Sequence, residues 1–71
     1  MIKEERMIKL TKLNDKIFYL NPHQIEFIEE VPETLITMLS GKTIYVKETV
    51  DELIEKIIEY RKKIGIFKNE L

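Results

Sequence analysis

Between Met7 and Glu48 the apolar residues come in short runs of nearly even length. Asn14-Asp15, Asn21-Pro22, Pro32-Glu33 and Ser40-Gly41 separate them. In the first run Ile8 and Leu10 alternate with Lys9 and Thr11, the period of two that predicts a strand over Ile8–Leu13. Asn14-Asp15 supplies two residues that tolerate left-handed backbone, so a tight hairpin follows. The next strand is predicted over Lys16–Leu20, where Ile17-Phe18-Tyr19-Leu20 is apolar on both faces. Asn21-Pro22 ends it, because proline lacks the ladder N–H and restricts the residue before it.

A third strand is predicted over Gln24–Val31, with Ile25, Phe27 and Val31 set against Glu26, Ile28 and Glu30. The Phe27-Ile28 pair breaks the alternation, which points to a bulge nearby. Pro22 also suits the first position of a helix, so a short helical turn over residues 22–26 competes for the start of this strand. The strand is the preferred reading. Pro32-Glu33 makes a turn into a fourth strand, Thr34–Leu39, in which Leu35 and Leu39 oppose Ile36 and Met38. Ser40-Gly41 then closes a hairpin into Lys42–Lys47, where Ile44 and Val46 alternate with Thr43 and Tyr45.

After Glu48 the period changes. Thr49-Val50-Asp51-Glu52 has the form of a capping box. Val50, Leu53, Ile54, Ile57, Ile58, Arg61 and Ile64 then fall at the spacing of an amphipathic helix, with Tyr60 flanking the stripe. Acids stand in its first turn and Arg61, Lys62 and Lys63 in its last, as the helix dipole favours, and Gly65 is a natural left-handed stop. The expected fold is α+β: a curled antiparallel meander of about five short strands followed by one C-terminal amphipathic helix. One helix covers one face of such a sheet. The apolar second face of the second and fourth strands must then be buried by tight curling into a half-barrel or by another copy of the chain. Self-association is the preferred resolution, because leaving those side chains wet would forfeit several kcal/mol at roughly 25 cal/mol per Å².

Composition sharpens this. Seventy-one residues make one domain. A chain of that size buries only roughly 60% of the surface its unfolded form exposes, so added staples or association matter. There is no cysteine, which excludes disulfides and thiolate metal sites, and one histidine cannot form a transition-metal site alone. Residues 1–6 read as a flexible, charged extension unlike a signal peptide, residues 7–65 as the folded domain, and residues 66–71 as a tail. No apolar run approaches the roughly 20 residues of a membrane span, so a soluble, cytoplasmic protein is expected. Twelve basic side chains against thirteen acidic ones leave a net charge of −1, whereas a generic phosphate-backbone binder is usually more basic.

Candidate chemistry is sparse. His23 follows Pro22 in a turn and reads as a solvated loop residue. The single serine, Ser40, has no base beside it in sequence, so no nucleophile–base pair is formed. Glu26, Glu29, Glu30 and Glu33 lack the glycine and Asp/Asn spacing of a hard-cation loop and read as a solvated strand face, one that would serve as an acidic docking edge. Arg61, Lys62, Lys63 and Lys68, with Tyr60 and Phe67 nearby, offer a modest basic end for nucleic acid or anionic lipid; helix-dipole complementation is the plainer account. Ile66 and Phe67 are apolar residues in a polar tail and would fold back on the sheet or meet a partner. No enzyme and no cofactor are expected.

The order Met7-Ile8-Lys9-Leu10-Thr11-Lys12-Leu13-Asn14, Phe18-Tyr19-Leu20-Asn21-Pro22, Ile25-Glu26, then Pro32, Thr34, Ile36, Thr37, Gly41-Lys42 and Val46-Lys47-Glu48 before the helix resembles the flagellar FlbD family, called SwrD in some bacilli. Two departures are visible: Asn14-Asp15 and Ser40-Gly41 stand where the family commonly has Asn-Gly, and His23 stands where an acid is common. The resemblance implies a FlbD-like domain over residues 7–65 and a non-enzymatic accessory of flagellar motility that supports motor power and swarming. It would be cytoplasmic, peripheral to the motor, homo-oligomeric, and partnered with a stator or basal-body/export component. Asn21, Pro22 and Glu26 match the family pattern; with Glu30 and Phe67 they are the candidate interaction residues. The rival expectation is a small nucleic-acid-binding regulator of flagellar or other genes, against which the near-neutral charge counts.

Overall fold

The computed structural model describes residues 7–64. The expected extension 1–6, the Gly65 stop, the tail 66–71 and with it Phe67 and Lys68 lie outside the described residues.

The chain forms β1 (Ile8–Thr11), β2 (Ile17–Leu20), a 3-10 turn (Pro22–Gln24), β3 (Ile25–Glu30), β4 (Thr34–Met38), β5 (Thr43–Val46) and α1 (Val50–Ile64). This is the α+β meander with a C-terminal helix. Its hydrogen bonding is divided between a two-stranded sheet, β1–β2, and a three-stranded sheet, β3–β4–β5. All named pairs are antiparallel. The sheets meet where Lys12 bridges Val46 and the Lys47 N–H donates to the Thr11 carbonyl at 2.8 Å. Strand order around the curl therefore runs β2–β1–β5–β4–β3, with β2 and β3 as its ends.

Register fixes which side chains meet. Ile8 opposes Leu20 and Leu10 opposes Phe18 in the first sheet, while Ile28, Ile36 and Ile44 align across the second. Side chains of opposed residues share a face, so both rows turn inward together. The core is Ile8, Leu10, Leu20, Ile36, Val46, Leu53 and Tyr60, with Phe18, Ile25, Ile28, Met38, Ile44 and Ile57 packed against it. Leu10, Ile36 and Leu53 are fully enclosed.

Local differences from the sequence reading have physical causes. Leu13 lies in the hairpin turn rather than in β1, because the chain closes early: the Lys12 N–H donates to the Lys16 carbonyl at 2.8 Å and the Asp15 N–H to the Lys12 carbonyl at 2.9 Å. Asp15 takes the left-handed conformation the turn requires, at φ 71°. At the start of β3 both competing readings hold in part. Pro22 opens a 3-10 turn and removes Gln24 from the strand, and β3 begins at Ile25. The expected bulge falls between Ile25 and Phe27, where the register to β4 shifts. The Val31–Pro32 peptide is cis, and the Val31 N–H donates to the Glu33 carbonyl at 2.9 Å across that turn.

The capping box forms in both directions: the Glu52 N–H donates to Thr49 Oγ1 at 3.1 Å, and the Thr49 N–H to Glu52 Oε1 at 2.9 Å. The helix docks through Leu53, Ile57 and Tyr60 at i, i+4, i+7, so Tyr60 is a core residue rather than a flanking one. Ile54 and Ile58, from the predicted stripe, remain substantially exposed. Glu48, in the link between β5 and α1, accepts the Thr11 N–H at 3.0 Å through one carboxylate oxygen and the Thr11 hydroxyl at 2.9 Å through the other. That contact ties the end of β1 to the start of the helix.

Candidate interaction surface

The outward faces of both sheets keep large apolar groups. Ile17 is 52% exposed and Tyr19 43% on β2; Phe27 is 47% exposed on β3 and Tyr45 44% on β5. Register explains the grouping. Phe27, Thr37 and Thr43 align in one outward row, and Glu29, Leu35 and Tyr45 in the next. Curling the meander has enclosed one face of each sheet and left the other open. Large exposed apolar patches mark interaction sites, whereas singly scattered apolar side chains are ordinary.

Two grooves flank β2, and their chemistry differs. One lies between the first sheet and the helix; its walls carry Glu48, Glu52, Glu55 and Glu59 with Lys9, Lys56 and Lys63. The other, about 780 Å³, lies between the β1–β2 hairpin and the β4–β5 hairpin, over Phe18, Met38 and Ile44. Lys12 and Lys42 line this second groove, and its described lining contains no carboxylate. The Lys12 ammonium stands 5.5 Å from the Phe18 ring centroid, a cation–π arrangement. Asp15, the acid nearest in sequence, is paired instead with Lys47.

The candidate residues read from the sequence are distributed as follows. Asn21 is half-buried, and its Oδ1 accepts the His23 N–H at 2.9 Å, capping the 3-10 turn that Pro22 begins. Asn21 also lines the Lys12–Lys42 groove. Glu26 is exposed at the β3 bulge, and Glu30 is exposed at the far end of the same strand. The structure thus joins Asn21 and Pro22 in one turn and Glu26 and Glu30 along one strand. His23 is exposed at the turn, but its ring meets that of Tyr60 edge-on at a centroid distance of 5.5 Å, so it also fastens the turn to the helix. Lys62 and Lys63 are exposed at the helix end. Among the described residues no group of three or more His, Cys, Asp or Glu is placed to hold a metal ion. No described helix is long and apolar enough to cross a membrane.

Sequence reasoning missed the Lys12–Lys42 groove. Its parts come from residues 12–24 and 38–45, and no local spacing announces that these segments will face each other. The only available signal was the surplus of apolar residues on β2.

The architecture defines a class first: a small curled α+β fold with large apolar groups on its outward faces. The family model for flagellar and swarming motility proteins, FlbD, matches residues 7–65, and the chain belongs to that family. No curated protein and no solved structure matches the chain significantly.

Proposed function

We propose that this chain is a non-enzymatic accessory of flagellar motility that supports motor power and swarming by contact with other proteins. Membership of the FlbD family supplies the setting. The observation that carries a contact role is the set of outward apolar side chains, Ile17 and Tyr19 on β2, Tyr45 on β5 and Phe27 on β3, which neither the curl nor the helix covers. Burying such aromatic groups against a partner is a typical source of binding energy, because a few large anchors dominate an interface. The reading places the chain at the cytoplasmic side of the motor, as a homo-oligomer, with a stator or basal-body/export component as its partner.

The test is a deletion in the source organism, scored by torque on tethered cells, swarm expansion and filament number. Reduced torque and swarming with normal filaments is the expected outcome, restored by the intact gene and not by a Tyr19→Glu variant shown to be folded. Unchanged torque and swarming would remove the motility role.

A further inference from the structure

We infer that the groove between the β1–β2 and β4–β5 hairpins is a docking site for an acidic, apolar peptide segment of a partner protein. This rests on the contact role proposed above and names the chemistry of one contact. Three observations converge. The floor is apolar: Phe18, Met38 and Ile44 pack against the core from below, yet stay only half-buried and line the groove from above. Its borders carry Tyr19 and Tyr45, which come from different sheets and both remain exposed on the outward faces beside it. Rings of this kind contribute apolar contact area together with a polar tip.

The third observation is charge. Lys12 and Lys42 are the ionisable groups of the described lining apart from the tyrosines. The neighbouring groove across β2 mixes four glutamates with three lysines, whereas the described lining here holds two lysines and no carboxylate to neutralise them. A net charge of −1 shows that the basic groove is a local feature rather than part of a basic surface. An occupant with carboxylates flanking an aromatic or aliphatic side chain satisfies both the floor and the rim. The polar lining residues Asn21 and Gln24 add donors and acceptors for its backbone.

A single-stranded nucleic acid would also find aromatic rings and cations here. Two lysines are few for tracking a phosphate backbone, and the exposed carboxylates of Glu26, Glu29, Glu30 and Glu33 elsewhere on the chain disfavour a polyanion. The balance of charge favours the peptide.

The test uses the full chain, immobilised, in selection from a random dodecamer display library. A Lys12→Glu/Lys42→Glu double variant serves as the counter-target, and Lys42→Glu alone is a second variant that leaves the Lys12–Phe18 contact in place. Circular dichroism establishes that each variant is folded. Expected is enrichment of sequences that set Asp or Glu beside Phe, Leu or Ile. The best synthetic peptide should lose about tenfold in affinity or more to Lys42→Glu and bind less well as salt rises. On the labelled full chain, this peptide should shift the amide signals of Lys12, Tyr19 and Thr43. Enrichment of basic or uncharged sequences, equal binding to the double variant, shifts confined to the helix groove, or tighter binding of a decathymidylate than of any peptide would each overturn the inference. Failure here with lost swarming on deletion would remove the groove and keep the motility role. Peptide capture with unchanged swarming would do the reverse.

Discussion

Glu48 and Asp15 show how differently two carboxylates act in one small chain. Glu48 accepts both the backbone N–H and the hydroxyl of Thr11, a residue 37 positions away, and the contact is part-buried. Asp15 pairs with Lys47 on the surface, where the two side chains are 77% and 47% exposed. A charged acceptor with two donors contributes more than a wet ion pair, whose usual value is about 0–1 kcal/mol. Glu48→Ala is therefore expected to lower unfolding stability by about 1–3 kcal/mol, since it strips the acceptor from the Thr11 N–H. Asp15→Asn should stay within about 0.5 kcal/mol, because asparagine also tolerates the left-handed backbone. Urea unfolding followed by circular dichroism measures both; equal losses would show that the Glu48 contact is no stronger than a surface pair.

At the scale of elements, the parts that were legible are those set by neighbours in sequence. The Thr49–Glu52 box reads directly from four residues and forms as expected, and Thr49→Ala should cost about 1 kcal/mol in thermal unfolding. The β4–β5 hairpin is similarly local. Gly41 sits at φ +93° with its N–H donating to the Met38 carbonyl at 2.8 Å, and an added Cβ would meet no atom within 4 Å. Gly41→Ala should thus be destabilising by about 1–2 kcal/mol through backbone strain alone, with no repacking visible in the amide spectrum. A neutral result would mean that the turn relaxes out of the left-handed region. What could not be read locally depends on the curl. The joining of the two sheets rests on the Lys12–Val46 bridge, the core position of Tyr60 on the direction in which α1 docks, and the Lys12–Lys42 groove on the facing of two hairpins. Each joins segments far apart in the chain, so periodicity carries no trace of it. Asn21-Pro22 lies between these cases: its turn was legible, while its place beside the groove was not.

At the scale of the molecule, the two candidate contact surfaces carry opposite charge, and that makes them separable. The β3 side presents Phe27 and Val31 among Glu26, Glu29, Glu30 and Glu33, all exposed. If copies of the chain associate as proposed, and do so through this side about a two-fold axis, each brings the same apolar anchor and the same acids to the interface. Apolar burial then drives association and like-charge repulsion opposes it. Salt shortens the screening length from about 10 Å at 0.1 M to about 3 Å at 1 M, so added salt should tighten the assembly. Peptide binding in the Lys12–Lys42 groove should weaken under the same change, because there the charges attract. Sedimentation equilibrium of the full chain across this salt range is expected to show rising association, with Phe27→Glu remaining a monomer throughout. A wild-type chain that is monomeric at every salt concentration would sink the self-association proposal. Association that weakens with salt would move it off the acidic β3 side and onto a surface where opposite charges meet.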